Sequence, residues 1–238
     1  MLLRFEHRLS DSPYIERVWR SHSRSSGTFY SMAEPNLELV IARVGGGAQV
    51  ILRGPVTRAS TADCPADGEW LGIRFRLGTQ LTRLPTAALL DHKSVVLPSQ
   101  ADGTFWLDQR WWEPPSYENA EACIAALAAG GVINRDPVVE SVLDGERADI
   151  SLRSVQRRFL QSTGLTREAF RQIERARHAA GLLQSGASIL DVVDQAGYFD
   201  QPHLSRALRR LIGPTPGGLA HGQAQLSFLY KTTIPSWA

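Results

Sequence analysis

The sequence predicts an α+β protein: an N-terminal β-rich, barrel-like domain followed by an all-α domain with two helix-turn-helix units. Three observations lead there. Leu71, Ile73, Phe75 and Leu77 alternate with Gly72, Arg74, Arg76 and Gly78, the period of two that marks a half-buried strand. From Ile133 onward the apolar spacing changes to that of helices. In the last third a pattern returns 49 positions later: Ser151, Val155, Arg157, Phe159, Gly164 and Thr166 recur as Asp200, Leu204, Arg206, Leu208, Gly213 and Thr215. N-caps, core positions and terminators are kept together, which chance rarely achieves.

Bulk properties are compatible with two domains. The 238 residues can bury one large core or two smaller ones, and 43% hydrophobic with 21% charged residues is ordinary globular usage. The expected division is a β-rich sensory or dimerisation domain over 1–115, a connecting helix and linker over 116–132, the helical domain over 133–222 and a tail over 223–238. Net charge is only +2, so attraction for a polyanion rests on where charges sit. Of the 26 basic residues only Lys93 and Lys231 are lysine, and arginine is the better bidentate partner for phosphate and guanine. Met1 to Arg8 has no signal-peptide core, and no stretch approaches the roughly 20 apolar residues that span a bilayer. A cytoplasmic protein without a membrane partner is expected.

Along the chain, Ser12, Pro13 and Glu16 suit the start of a short helix carrying Tyr14, Ile15, Val18 and Trp19. Leu37 to Arg43 and Ala48 to Arg53 read as a hairpin about Gly45, Gly46 and Gly47, and Ser94 to Leu97 as a further strand. Phe105, Trp106, Trp111 and Trp112 crowd ahead of Pro114 and Pro115, either plugging the β domain or forming a subunit contact. Ser116 to Gly130 reads as a helix whose Ala122, Ala125, Ala126 and Ala129 make a smooth stripe suited to a homodimer interface. The apolar tail residues Leu226, Phe228, Leu229 and Tyr230 are expected to pack on the body.

The helical third divides at its caps. Val138, Val139, Val142 and Leu143 suggest one helix before Gly145, and Ser151 caps a second burying Leu152, Val155 and Phe159. Thr166 begins a longer helix with the stripe Phe170, Ile173, Ala176, Ala180 and Leu183, ending at Gly186. Ser188 with Asp191 starts another, and Asp200 caps a last helix that Pro214 and Pro216 forbid from continuing. Helix, turn and helix at this spacing places one helix in a DNA major groove while the other braces it. Between Ile150 and Ala180 seven arginines stand against Glu168 and Glu174, an electrostatic footprint for phosphate. His178 is expected to complement a helix C-terminus.

SVQRRFLQSTGLTREAF, followed by RARHAAGLLQSGASILDVVDQAGYFDQPHLSRALRRLIGPTP, resembles the DNA-binding domain of the AraC/XylS family of bacterial transcription regulators over about Val138 to Leu219. The most specific elements are QRRF at Gln156 to Phe159, GYFDQPHLSR at Gly197 to Arg206 and GPTP at Gly213 to Pro216. Leu208 departs from the family's usual phenylalanine and Gly218 from a bulkier residue. The resemblance implies base contacts from Arg153, Gln156 and Arg157 in the first unit and Gln201, Pro202, His203 and Arg206 in the second. Their chemistry agrees, since Arg pairs with guanine and Gln with adenine, while Pro202 offers only apolar contact. The implied partner is double-stranded DNA, while a second copy of the chain is expected from the aromatic cluster and the alanine stripe. A small-molecule effector and RNA polymerase are further partners that the resemblance leaves open.

Catalytic chemistry finds no support. His7, His22 and His92 lack metal-ligand spacing, Cys64 and Cys123 are too isolated for a zinc cluster, and no G-x-S-x-G turn follows His22. No cofactor, metal or enzymatic activity is expected. The rival readings are an enzyme fused to a DNA-binding domain and a scaffold whose helices bind protein, the latter calling for apolar anchors where Arg and Gln stand.

Overall fold

The computed structural model describes residues 3–91, 95–143, 145, 150–222 and 226. Its first part comprises β1 (Leu3–Leu9), β2 (Ile15–Ser23), β3 (Gly27–Ser31), β4 (Glu38–Val44), β5 (Gly47–Arg53), β6 (Ser60–Cys64), β7 (Glu69–Phe75), β8 (Thr79–Leu81), β9 (Val95–Leu97), β10 (Phe105–Leu107) and β11 (Arg110–Trp112). Six of these form an antiparallel sheet in the order β1-β2-β7-β4-β5-β9, and β3 with β6 and β10 with β11 form two ribbons. The β4–β5 hairpin is as expected: Val44 pairs with Gly47, leaving Gly45 and Gly46 as a two-residue loop at φ +60° and +79°. Only a residue indifferent to positive φ fits both positions of such a turn. β9 matches the expected strand from Val95 onward; Ser94, with His92 and Lys93, lies outside the described residues.

The helix expected over Ser12 to Trp19 is instead β2. Local capping signals lose to tertiary pairing, because the segment fills the slot between β1 and β7. Likewise β7 is buried on both faces rather than one. Leu71, Ile73 and Phe75 join Leu39, Ile41, Val50 and Leu52 in a core closed by Phe105 and by Ile124 and Leu127 of α1 (Ala120–Ala129). On the opposite face a Cβ at Gly72 would come within 2.0 Å of the Trp19 indole, so the strand needs glycine there. The same face carries a cross-strand row, Arg17 beside Arg74, Arg74 beside Glu38 and Glu38 beside Arg53.

The aromatic cluster is only partly taken up by the β-rich part. Phe105 and Trp112 pack on the core, whereas Trp106 and Trp111, cross-strand partners, meet edge to face at 5.2 Å on the exposed side. In α1 the alanine stripe Ala122, Ala125, Ala126 and Ala129 faces outward, and Ala120, Ile124 and Leu127 face the sheet. After α1 the chain adds a strand before turning helical: β12 (Ile133–Arg135) pairs with β8.

The remainder is α2 (Pro137–Leu143), α3 (Leu152–Thr163), α4 (Arg167–Gln184), α5 (Ile189–Gln195), α6 (Gln201–Leu211) and α7 (Pro216–Ala220). α7 begins at a proline expected to stop helix formation, because its first-turn position has no hydrogen bond to lose. Met32 and Ala33, from beyond β3, lie in the same core as Ile173, Leu183, Leu204, Leu208 and Leu211. Ala33 N donates to Leu211 O at 2.7 Å and Ala59 N to Arg210 O at 2.8 Å, so backbone of the β-rich part satisfies carbonyls at the end of α6. Leu226 is buried and bridges to Tyr30; Phe228, Leu229 and Tyr230 lie outside the described residues.

Candidate nucleic-acid interface

The 49-residue repeat is physically real at its caps. Ser151 Oγ accepts from Ser154 N at 3.2 Å and Asp200 Oδ1 from His203 N at 2.6 Å, so α3 and α6 begin alike. Gly164 and Gly213 follow at φ +73° and +109°, and Thr166 and Thr215 then cap α4 and α7. Each helix buries its repeated apolar pair, Val155 with Phe159 and Leu204 with Leu208, whereas Leu152, expected to be buried with the first pair, is 65% exposed at the start of α3. The opposite faces are left outward: Arg153, Gln156 and Arg157 on α3, and Gln201, Pro202 and Arg206 on α6, are all exposed. His203 is half-buried, its ring edge-on to Tyr198 at 5.1 Å.

The units differ in their turns. Eight residues separate α2 from α3, whereas five separate α5 from α6. The second is thus the tighter helix-turn-helix, closer to the three- or four-residue turn such pairs use. Between them α4 runs 18 residues, about 27 Å at 1.5 Å per residue. A concavity between α3 and α4 is lined by Arg153, Gln156, Arg157, Arg167 and Arg171, and burial together with Arg171 lowers the Arg167 guanidinium from its usual value.

The basic footprint is narrower than the sequence count. Arg158 is held by Asp136, Nη2 to Oδ1 at 3.0 Å and Nε to Oδ2 at 3.2 Å. Arg177 is buried, pairing with Glu34. Both belong to the fold and drop out of the seven. Arg175 lies over the Tyr198 ring at 4.6 Å. His178 sits six residues before the end of α4, too far to complement its terminus, so that expectation is also corrected.

Sequence reasoning missed the junction around Arg177. Its guanidinium reaches the charged row of the sheet, where Glu34 also pairs with Arg74, and Arg74 Nε lies 3.1 Å from Glu38 Oε1. Burial raises the Glu34 carboxyl despite Arg74 and Arg177, whereas burial of Glu38 is outweighed by Arg74 and Arg53 and its carboxyl is lowered. A signal existed: Arg177 lies on the apolar stripe, four after Ile173 and three before Ala180, where a solvated arginine has no place. Beside this junction is a cavity of about 130 Å³ with aromatic walls, Phe5, Trp19, Phe29 and Trp70, and with Glu34, Arg53, Arg74 and Arg177 on its polar side.

Residues 145–221 match a family described as a helix-turn-helix domain. The chain is also similar to the HTH-type transcriptional regulator RipA of Corynebacterium glutamicum, 35% identical over 100 residues. That alignment covers 41% of this chain and 30% of the relative, so the chain spans under a third of that protein's length. No solved structure matches.

Proposed function

We propose that the protein is an AraC-type, DNA-binding transcription regulator that reads two successive major-groove segments through α3 and α6, a reading supported by the helix-turn-helix family match over residues 145–221. The observation that carries this reading is the pair of equivalently capped helices, each presenting Arg and Gln outward, on either side of one continuous helix. A span of about 27 Å plus the flanking turns suits grooves one helical repeat, about 34 Å, apart. Arg153, Gln156 and Arg157 supply one set of base contacts, and Gln201, Pro202, His203 and Arg206 the other. Arg157 and Arg206, both exposed at equivalent positions of the repeat and able to pair bidentately with guanine, are the strongest readers.

The rest of the proposal concerns control. The cavity beside Arg177 is the place for a small-molecule effector, since its walls come from the β-rich part and from α4 together. The exposed Trp106–Trp111 pair and the outward alanine stripe of α1 favour a homodimer. The protein acts in the cytoplasm beside RNA polymerase and without enzymatic turnover.

The test is titration of the whole chain against duplexes selected from random sequence, at several salt concentrations. Log affinity is expected to fall linearly with log salt, and Arg157→Ala or Arg206→Ala to cost about 1 to 3 kcal/mol each with relaxed preference at one or two base pairs. Binding that ignores both salt and these substitutions rejects the reading.

A further inference from the structure

The residue ahead of each reading-helix cap is large and apolar: Ile150 before Ser151 and Phe199 before Asp200, again 49 positions apart. An apolar side chain there ordinarily folds back on the fourth residue of the helix and fixes the angle at which the chain enters. Those fourth residues, Val155 and Leu204, are buried in their cores, yet Ile150 is 39% exposed and Phe199 91% exposed. Phe199 therefore contributes little to the fold. Its neighbour Tyr198 takes the inward position instead, under Arg175 and against His203.

The turn that displays the ring is firmly held. Tyr198 N donates to Val193 O at 2.8 Å, and the Asp200 cap follows immediately. Phe199 thus projects from a fixed point at the N-terminal end of α6, beside the exposed Gln201 and Pro202. That end of a reading helix is the one that meets base edges. Phenylalanine has one means of direct readout there, apolar contact with the 5-methyl group of thymine. A ring left in water in the free protein would lose that exposure on binding.

We propose that Phe199 is a specificity-determining DNA contact, reading a thymine methyl group in the segment bound by the second unit. This rests on the DNA-binding reading above. The whole chain, Phe199→Ala, Phe199→Leu and Arg206→Ala are titrated against the selected duplex and against versions with each thymine of the second segment replaced by uracil. One uracil duplex is expected to bind the parent protein about threefold to tenfold more weakly. Phe199→Ala should show a similar loss on the thymine duplex and no longer distinguish the two bases, while Phe199→Leu keeps part of the preference. Since the side chain is exposed, the thermal midpoint of each variant should match that of the parent.

If Phe199→Ala keeps both the affinity and every thymine-over-uracil preference while Arg206→Ala binds weakly, the Phe199 assignment is overturned and the DNA reading stands. Unchanged DNA affinity with lost output in transcription by purified polymerase also overturns it, assigning the ring to a protein contact. If the parent chain selects no sequence, both readings fall.

Discussion

Arg177 Nη1 donates to Glu34 Oε2 and to the Ala33 carbonyl, each at 3.1 Å, fastening the helix between the two units to the loop ahead of β4. The arginine side chain is 2% exposed and the glutamate 9%. Arg177→Met removes the charge at similar length and leaves Glu34 buried with Arg74. Because Arg74 still compensates the carboxylate, the cost is expected at about 1 to 3 kcal/mol, that of leaving buried hydrogen-bonding groups unpaired. Urea unfolding monitored by tryptophan fluorescence is expected to show that loss, and a change below about 1 kcal/mol would mean that water reaches the junction.

The same junction gives a pH dependence. Burial raises the Glu174 carboxyl from 4.5 to about 7, only partly offset by Arg177, whose Nε is 3.8 Å away. Between those values the folded protein holds a proton that the unfolded chain has released, so this group's contribution makes stability fall as pH rises through the window. Glu174→Gln is expected to remove on the order of 2 to 3 kcal/mol of that fall between pH 5 and 8. The check is the denaturation midpoint across that range, and an unchanged slope would refute the assignment.

Cutting the chain tests how far the helical part depends on the sheet. A fragment of residues 133–219 lacks Met32 and Ala33, which fill its core, and the amides that bond Leu211 and Arg210. It is expected to melt at a lower temperature than the whole chain, with a broader transition by circular dichroism. A fragment as stable as the whole would show these contacts to be dispensable.

Assembly is open to a single substitution. Ala126 faces outward beside a groove lined by Trp111, Trp112 and Cys123. If this face joins two copies, Ala126→Glu should convert a dimer to a monomer in light scattering at micromolar concentration, with circular dichroism unchanged. A parent protein that is already monomeric rejects the interface.

The legible parts of the sequence were those governed by neighbours along the chain. The glycine hairpin turn, the helix caps and the spacing of the repeat follow from backbone sterics and short-range hydrogen bonds, and Ser151, Thr166, Ser188 and Asp200 all cap as expected. The outward faces of α3 and α6 were legible for the same reason, since a helix with one apolar stripe must present its other side.

Where two segments distant in sequence compete or combine, local rules gave no answer. Ser12 to Trp19 carries helix-start signals but pairs as β2, and Ile133 to Arg135 joins β8 rather than beginning a helix. Arg158 and Arg177 read as phosphate ligands, yet each found a carboxylate at least 22 positions away. The sequence by itself determined the caps, the repeat and the side chains offered outward. Tertiary structure alone decided which arginines remain there, because a charge is retained at the surface or drawn inside according to whether a buried partner can compensate its lost hydration.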